Sequence, residues 1–225
     1  MKLALFDLDH TLLDGDSDDL WYQFLIEHGA ADGEHASAQR AQFLADYHAG
    51  RLNVAAFYEF ALKPLTQHAM PELLAWRRQF LDEYVRPRIP ATARALLAGH
   101  RNSGHTLAIV TATHRFVAEP IAAELEVPNL LATTPEYDGR RFTGRVLGTP
   151  CFREGKLQHL HAWLQRENLV PVETWCYSDS HNDLPLLENA SHPVAVNPDP
   201  QLAQYAAQRR WPVMHIRGDA APAAR

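Results

Sequence analysis

The feature that most constrains this chain is the point where an apolar run stops at two acids. Leu3-Ala4-Leu5-Phe6 carries no polar side chain, and Asp7-Leu8-Asp9-His10-Thr11 follows at once. A short, unbroken apolar run reads as a strand buried on both faces, as in a parallel sheet. Ligands of an open α/β sheet gather beyond the carboxyl ends of its strands, so Asp7 and Asp9 stand where a site is expected.

The remaining pattern supports that class. Ser17 is expected to cap a first helix closed by Gly29, with Leu20, Phe24 and Leu25 on its apolar face. Further helices are expected to end near Gly50, to run from Asn53 to Pro64, and to begin near Pro71 and carry Tyr84. After Pro90 another helix leads into an alternation. Strands are expected over 106–110, 130–134, 174–177 and 194–196, and helices over 115–125, 154–168 and 183–188. The Asp138-Gly139 pair marks a hairpin, and a last helix and strand follow. Such alternation implies an α/β fold with a mainly parallel sheet and right-handed crossovers. The all-helical block after the first strand is too long for a simple crossover. It reads as an inserted helical cap over 16–88, leaving 1–15 and 89–225 as the core.

Composition closes off other classes. With 225 residues, 46% hydrophobic and 21% charged, the chain suits an ordinary globular protein with one core and a modest insertion. A formal charge of −6 argues against a polyanion partner, so no nucleic acid is expected. The arginines of 209–217 are broken up by Trp211, Pro212 and Met214 and read as a last strand with solvated flanks. Cys151 and Cys176 form no Cys-x-x-Cys pair, which excludes a disulfide framework and a cysteine-rich zinc site. No apolar run approaches the roughly 20 residues that cross a bilayer. A cytoplasmic location, no membrane association and no obligate protein partner are the expectations.

Two carboxylates spaced by one residue in extended chain point the same way. That arrangement suits phosphoryl transfer: one attacks phosphorus, and the other protonates the leaving oxygen and then deprotonates water. Carboxylate and phosphate repel, so Mg²⁺ and a lysine are required nearby. Three later segments could meet these needs. Thr111-Ala112-Thr113 ends the second strand and offers a hydroxyl and backbone N–H groups at a helix start. Lys156 lies in the first turn of a helix after Arg153-Glu154-Gly155. Ser178-Asp179-Ser180-His181-Asn182-Asp183 closes a further strand, where Asp179 and Asp183 can bind Mg²⁺ with Asp7. Singly, each has an ordinary reading as a cap or a solvated charge; the four in this order do not.

These segments resemble the motifs of the haloacid dehalogenase superfamily, in its phosphoserine phosphatase-like branch with a helical cap. The resemblance covers nearly the whole chain, with Ser178 in place of the usual Gly of the fourth motif. It implies a three-layer Rossmann-like core, Asp7 as nucleophile and Asp9 as general acid/base. Mg²⁺ would be held by the Asp7 carboxylate, the Asp9 backbone carbonyl and Asp179, with Asp183 supporting. Thr111, Ala112, Lys156 and Asn182 would hold phosphate. The implied reaction is hydrolysis of a small phosphomonoester, with phosphoserine or histidinol phosphate the leading guesses. Transfer of the phosphoryl group to an acceptor alcohol is the alternative. A receiver-type signalling protein would lack Asp9 and the helical block, and be about half this length.

Departures from the branch concern substrate. Where the phosphoserine enzymes carry a Glu that reads the ammonium, this chain has Asp16, with a shorter arm. Their carboxylate-gripping cap Arg has no clear counterpart among Arg51, Arg77 and Arg78. His114 and Trp21 are further candidates for touching substrate; the ordinary readings are a local hydrogen bond and helix packing. Asp14 to Asp19 fails as a calcium loop, since Asp19 and Leu25 fall where Gly and Glu belong. His159 and His161 lie on different helix faces and are expected to be solvated.

Overall fold

The computed structural model of the protein describes residues 1–216; Arg217, the end of the basic tail, lies outside them. The first strand, β1, is Lys2–Phe6. Helices α1 (Ser17–Glu27), α2 (Gly33–His48), α3 (Val54–Gln67) and α4 (Met70–Phe80) follow. Then come α5 (Ala91–Asn102), β2 (Thr106–His114), α6 (Arg115–Glu124), β3 (Asn129–Thr133) and the hairpin β4 (Pro135–Tyr137) with β5 (Phe142–Val146). The chain ends through α7 (Glu154–Arg166), β6 (Glu173–Ser178), α8 (Leu184–Glu188), β7 (His192–Val196), α9 (Pro200–Arg209) and β8 (Val213–Met214).

Six strands form one sheet in the order β3-β2-β1-β6-β7-β8, and every pair in it is parallel. β1 is central because its residues can be buried on both sides. Ala4 and Phe6 face the cluster formed with α5, α6 and the early helices, whereas Leu3 and Leu5 face the cluster of α7, α8 and α9. That is the three-layer arrangement expected. Successive connections leave β1 on opposite sides, to β2 and to β6, so the crevice at their carboxyl ends opens above Asp7.

Local departures have local causes. Asp16, not Ser17, caps α1: its carboxylate accepts from Asp19 N at 2.8 Å. α3 runs past Pro64 to Gln67, and α6 contains Pro120. α4 does not continue regularly to Tyr84; a wide π-type turn over Leu81–Val85 and a tight turn over Arg86–Arg88 bring the chain back to the core. β2 is longer than expected and reaches His114, with its register against β3 broken between Thr111 and His114. The helix behind Thr111 starts at Arg115, as the sequence pattern implied, and the strand fills the residues before it.

Candidate active site

β1 ends at Asp7, whose backbone N–H donates to the Tyr177 carbonyl at 2.9 Å, continuing the pairing with β6. The chain then turns tightly. Leu12 and Leu13 donate back to the Leu8 carbonyl, and His10 takes a left-handed backbone with φ 57°. This turn keeps both acids on the same cavity, a space of about 410 Å³ that Asp7, Asp9, Lys156, Asp179 and Asp183 all line.

The two acids have separate surroundings. Lys156 Nζ donates to Asp7 Oδ1 and to Asp183 Oδ2, each at 2.7 Å, all three side chains being buried. Thr11 Oγ1 lies 3.4 Å from Asp7 Oδ2 and 3.3 Å from Asp179 Oδ1, so one hydroxyl spans β1 and β6. Asp9 is held instead by Ser17 N at 2.7 Å and by Thr113 Oγ1 at 2.5 Å. Burial raises Asp7 to about 7, although Lys156 opposes it, and raises Asp9 to about 6, with Asp16 adding repulsion. Asp179 is pushed well above the usual carboxylate range by burial and by Asp7.

Asp7, Asp179 and Asp183 are thus gathered around one ammonium, with more negative charge than Lys156 offsets. Their oxygens are hard donors, the kind Mg²⁺ prefers. Among the described residues no three His, Cys, Asp or Glu side chains form a ready ligand set. The Asp9 carboxylate is taken by Ser17 and Thr113, and Asp183 Oδ2 by Lys156 and by Ser178 Oγ at 2.7 Å. Asp7 and Asp179 remain, and one or two carboxylates with water and phosphate are the usual protein share of a Mg²⁺ site.

The phosphate-side candidates divide. Ala112 and Thr113 line the cavity; Thr111 does not, being fully buried with its Oγ1 accepting from Thr113 N at 3.1 Å. Asn182 is also set back, held through Oδ1 by Arg153. Of the substrate-side candidates only Asp16 lines the cavity. Trp21 is 1% exposed and packs against Phe24, Phe80 and Phe116, so it is core. His114 is 1% exposed and sits behind the wall, 3.5 Å from Asp18; burial lowers it to about 3, so the imidazole is neutral, and pushes Asp18 well above the usual carboxylate range. Arg51 pairs with Asp46, and Arg77 donates to the Phe116 carbonyl; neither reaches the cavity. Arg78 does not line it either.

Several residues that matter had no signal of their own. Ser17 and Thr113 hold Asp9, Thr11 joins Asp7 to Asp179, and Arg40, from α2, lines the cavity while bonded to Asp19 at 2.6 Å. Thr11 and Thr113 lie inside the motif runs, which is the trace that could have pointed to them.

Fold and geometry agree with a match over residues 4–188: the chain belongs to the haloacid dehalogenase-like hydrolase family. It is 40% identical over 221 residues to a histidinol-phosphatase of Neisseria meningitidis serogroup C (strain 8013), covering 96% of this chain and 99% of that one. It is 30% identical over 224 residues to a phosphoserine phosphatase of Mycobacterium tuberculosis, covering 95% and 70%. A crystal structure of a Bordetella pertussis Tohama I protein of unknown function superposes with a TM-score of 0.89 at 43% identity, over 96% of this chain and 99% of that one. A phospho-aspartyl intermediate analogue of phosphoserine phosphatase gives a TM-score of 0.68 at 17% identity, over 96% and 93%, and shares the fold. The protein is a phosphatase of this family.

Proposed function

We propose that the protein hydrolyses histidinol phosphate through a phosphorylated Asp7. The observation that carries the chemistry is Lys156, whose ammonium bridges Asp7 and Asp183 at the floor of the cavity. An Asp7 oxygen attacks phosphorus, and the bond from phosphorus to the substrate oxygen breaks. Asp9, raised to about 6, delivers its proton to that departing oxygen. It then removes a proton from water, which attacks the aspartyl phosphate, frees inorganic phosphate and restores Asp7. Lys156 neutralises charge as it builds on phosphorus, and Thr113 and Ser17 aim Asp9. Asp7, Asp179 and the Asp9 carbonyl, with Asp183 in support, would hold Mg²⁺, which would supply the remaining positive charge against the phosphate.

The walls above that floor support the substrate. Asp16, Asp18 and Asp19 line the cavity, as do Tyr22, Phe57, Tyr58 and Phe60. An amine and an imidazole find acids and rings there. The carboxylate of phosphoserine finds Arg40, already bonded to Asp19 through three contacts. We assign 16–88 as the cap that carries most of these walls and excludes bulk water. The test is Mg²⁺-dependent phosphate release from histidinol phosphate, phosphoserine, sugar phosphates and nucleotides. Preference for histidinol phosphate is expected, and equal low rates on all four would refute the substrate. Asp7→Asn is expected to lose on the order of 1,000-fold or more in kcat; wild-type turnover would refute the nucleophile.

A further inference from the structure

The end of α2 and the turn after it, residues 47–50, reach Arg153, just before α7 and Lys156, and Ser180, just before Asn182. Two hydrogen-bond chains cross there. Arg153 makes the first: Nη2 donates to the Gly50 carbonyl at 2.6 Å, and Nε to Asn182 Oδ1 at 2.8 Å. Tyr47 makes the second: its hydroxyl donates to Ser180 Oγ at 2.9 Å, and that oxygen accepts from Asn182 Nδ2 at 3.3 Å and from Asn182 N at 3.2 Å. Both chains end on one amide. A guanidinium only donates, so it fixes the oxygen of that amide toward Arg153 and the nitrogen toward Ser180, which lines the cavity.

The backbone is shaped for this contact. Arg153 has φ 49° and ψ −120°, a strained conformation for a residue with a side chain. Its carbonyl accepts from Lys156 N at 3.0 Å, so the residue that opens the lysine's helix also holds the amide. Gly50 has φ 68°, and a Cβ there would lie 3.3 Å from Arg153 Nη2 and 3.6 Å from His181 Nε2. Glycine suits that positive φ, and a side chain there would press on the guanidinium. Arg153 itself does not line the cavity.

We propose that Arg153 is a positioning residue for the phosphatase reaction, acting through Asn182. Docking of the 47–50 turn through Arg153 turns the nitrogen of the buried amide toward Ser180, on the cavity side. That nitrogen carries two hydrogens; Ser180 takes one, and the other is for a phosphate oxygen. The proposal rests on the reaction at Asp7 described above, and its test separates the two. Steady-state kinetics with Mg²⁺ would compare wild type, R153M, N182A and the double variant, on p-nitrophenyl phosphate and on histidinol phosphate. R153M is expected to lose about ten- to a hundredfold in kcat/KM, the effect of one charge-assisted hydrogen bond. Inhibition by inorganic phosphate should weaken with it. In the N182A background R153M should add nothing, because two residues acting through one contact are not additive. R153K, which can reach one acceptor but not both, should recover part of the loss.

Wild-type turnover by R153M, or a double variant whose loss is the product of the single losses, would overturn the proposal. Should R153M not fold, R153Q takes its place, since it keeps a polar side chain without the charge. It too should be silent beside N182A, and additivity there would equally overturn the proposal. An active Asp7→Asn enzyme would refute the mechanism instead. A wild type active only on p-nitrophenyl phosphate would refute the substrate and leave the Arg153 comparison readable.

Discussion

Lys156 is the residue on which the site's charge balance turns. It is 3% exposed and its ammonium donates to two carboxylates, Asp7 and Asp183. Removing one member of a buried pair leaves the others uncompensated, so Lys156→Met is expected to cost on the order of 3 kcal/mol. The pH dependence follows from Asp7. Its folded-state pKa, about 7, already exceeds the ordinary 3.8, and losing Lys156 removes its main opposing influence. A raised carboxylate stabilises the fold below its unfolded pKa and loses that contribution as pH rises through the folded one. The variant's deficit should therefore be smaller at pH 5 than at pH 8, by urea denaturation in the presence of a chelator. His114 works in the opposite sense. Burial lowers it to about 3, so between pH 6.5 and 3 the unfolded chain takes up a proton that the folded one refuses. That contribution is complete above 6.5 and falls away in acid, by roughly 2 kcal/mol at pH 5. His114→Gln, which cannot be protonated, should flatten the stability curve across that window.

Elements place these residues, and glycines show how tightly. Gly155 opens α7 beside Lys156, and a Cβ there would meet the Pro150 carbonyl oxygen at 2.1 Å. That neighbour is backbone and cannot step aside, so Gly155→Ala must displace the helix start. A loss of about 1–3 kcal/mol is expected, together with reduced turnover as Lys156 moves. Gly99 lies within α5 with nothing within 4 Å of its added Cβ. Gly99→Ala should raise stability by about 0.5–1 kcal/mol and leave turnover alone, because alanine loses less entropy in a helix. Thermal melts and phosphate release on the two variants check both. The strand lengths show a further element-scale effect: continuation of β2 to His114 brings Thr113, rather than Thr111, against Asp9.

Across the whole molecule, aromatic packing joins the early helices to the core. Trp21 stacks on Phe24 and meets Phe80 and Phe116 edge-on, linking α1, α4 and α6. Trp21→Ala is expected to cost about 3–5 kcal/mol by equilibrium unfolding. The walls of the cavity are set by that packing, so the variant should lose preference among phosphomonoesters more than it loses turnover of p-nitrophenyl phosphate. Comparing the two substrates would show whether Trp21 acts through the fold, as its burial implies, or by touching the ligand.

Much of this was legible in the chain itself. The apolar run into Asp7, and the alternation after Pro90, specify a parallel three-layer sheet because burial on both faces leaves no other pattern for those strands. The convergence of Asp7, Asp9, Lys156, Asp179 and Asp183 on one cavity follows from the same logic, since each stands at a strand end or helix start. The fine assignments were not legible. Whether Trp21 and His114 face a ligand or the core depends on which side of α1 and β2 is covered, and helical or strand spacing is silent on that. The partners of Asp9, the pairing of Arg40 with Asp19 and the bridge from Gly50 through Arg153 to Asn182 join residues 8 to 104 positions apart. Such contacts leave no local mark in a sequence, because tertiary packing alone brings the two ends together.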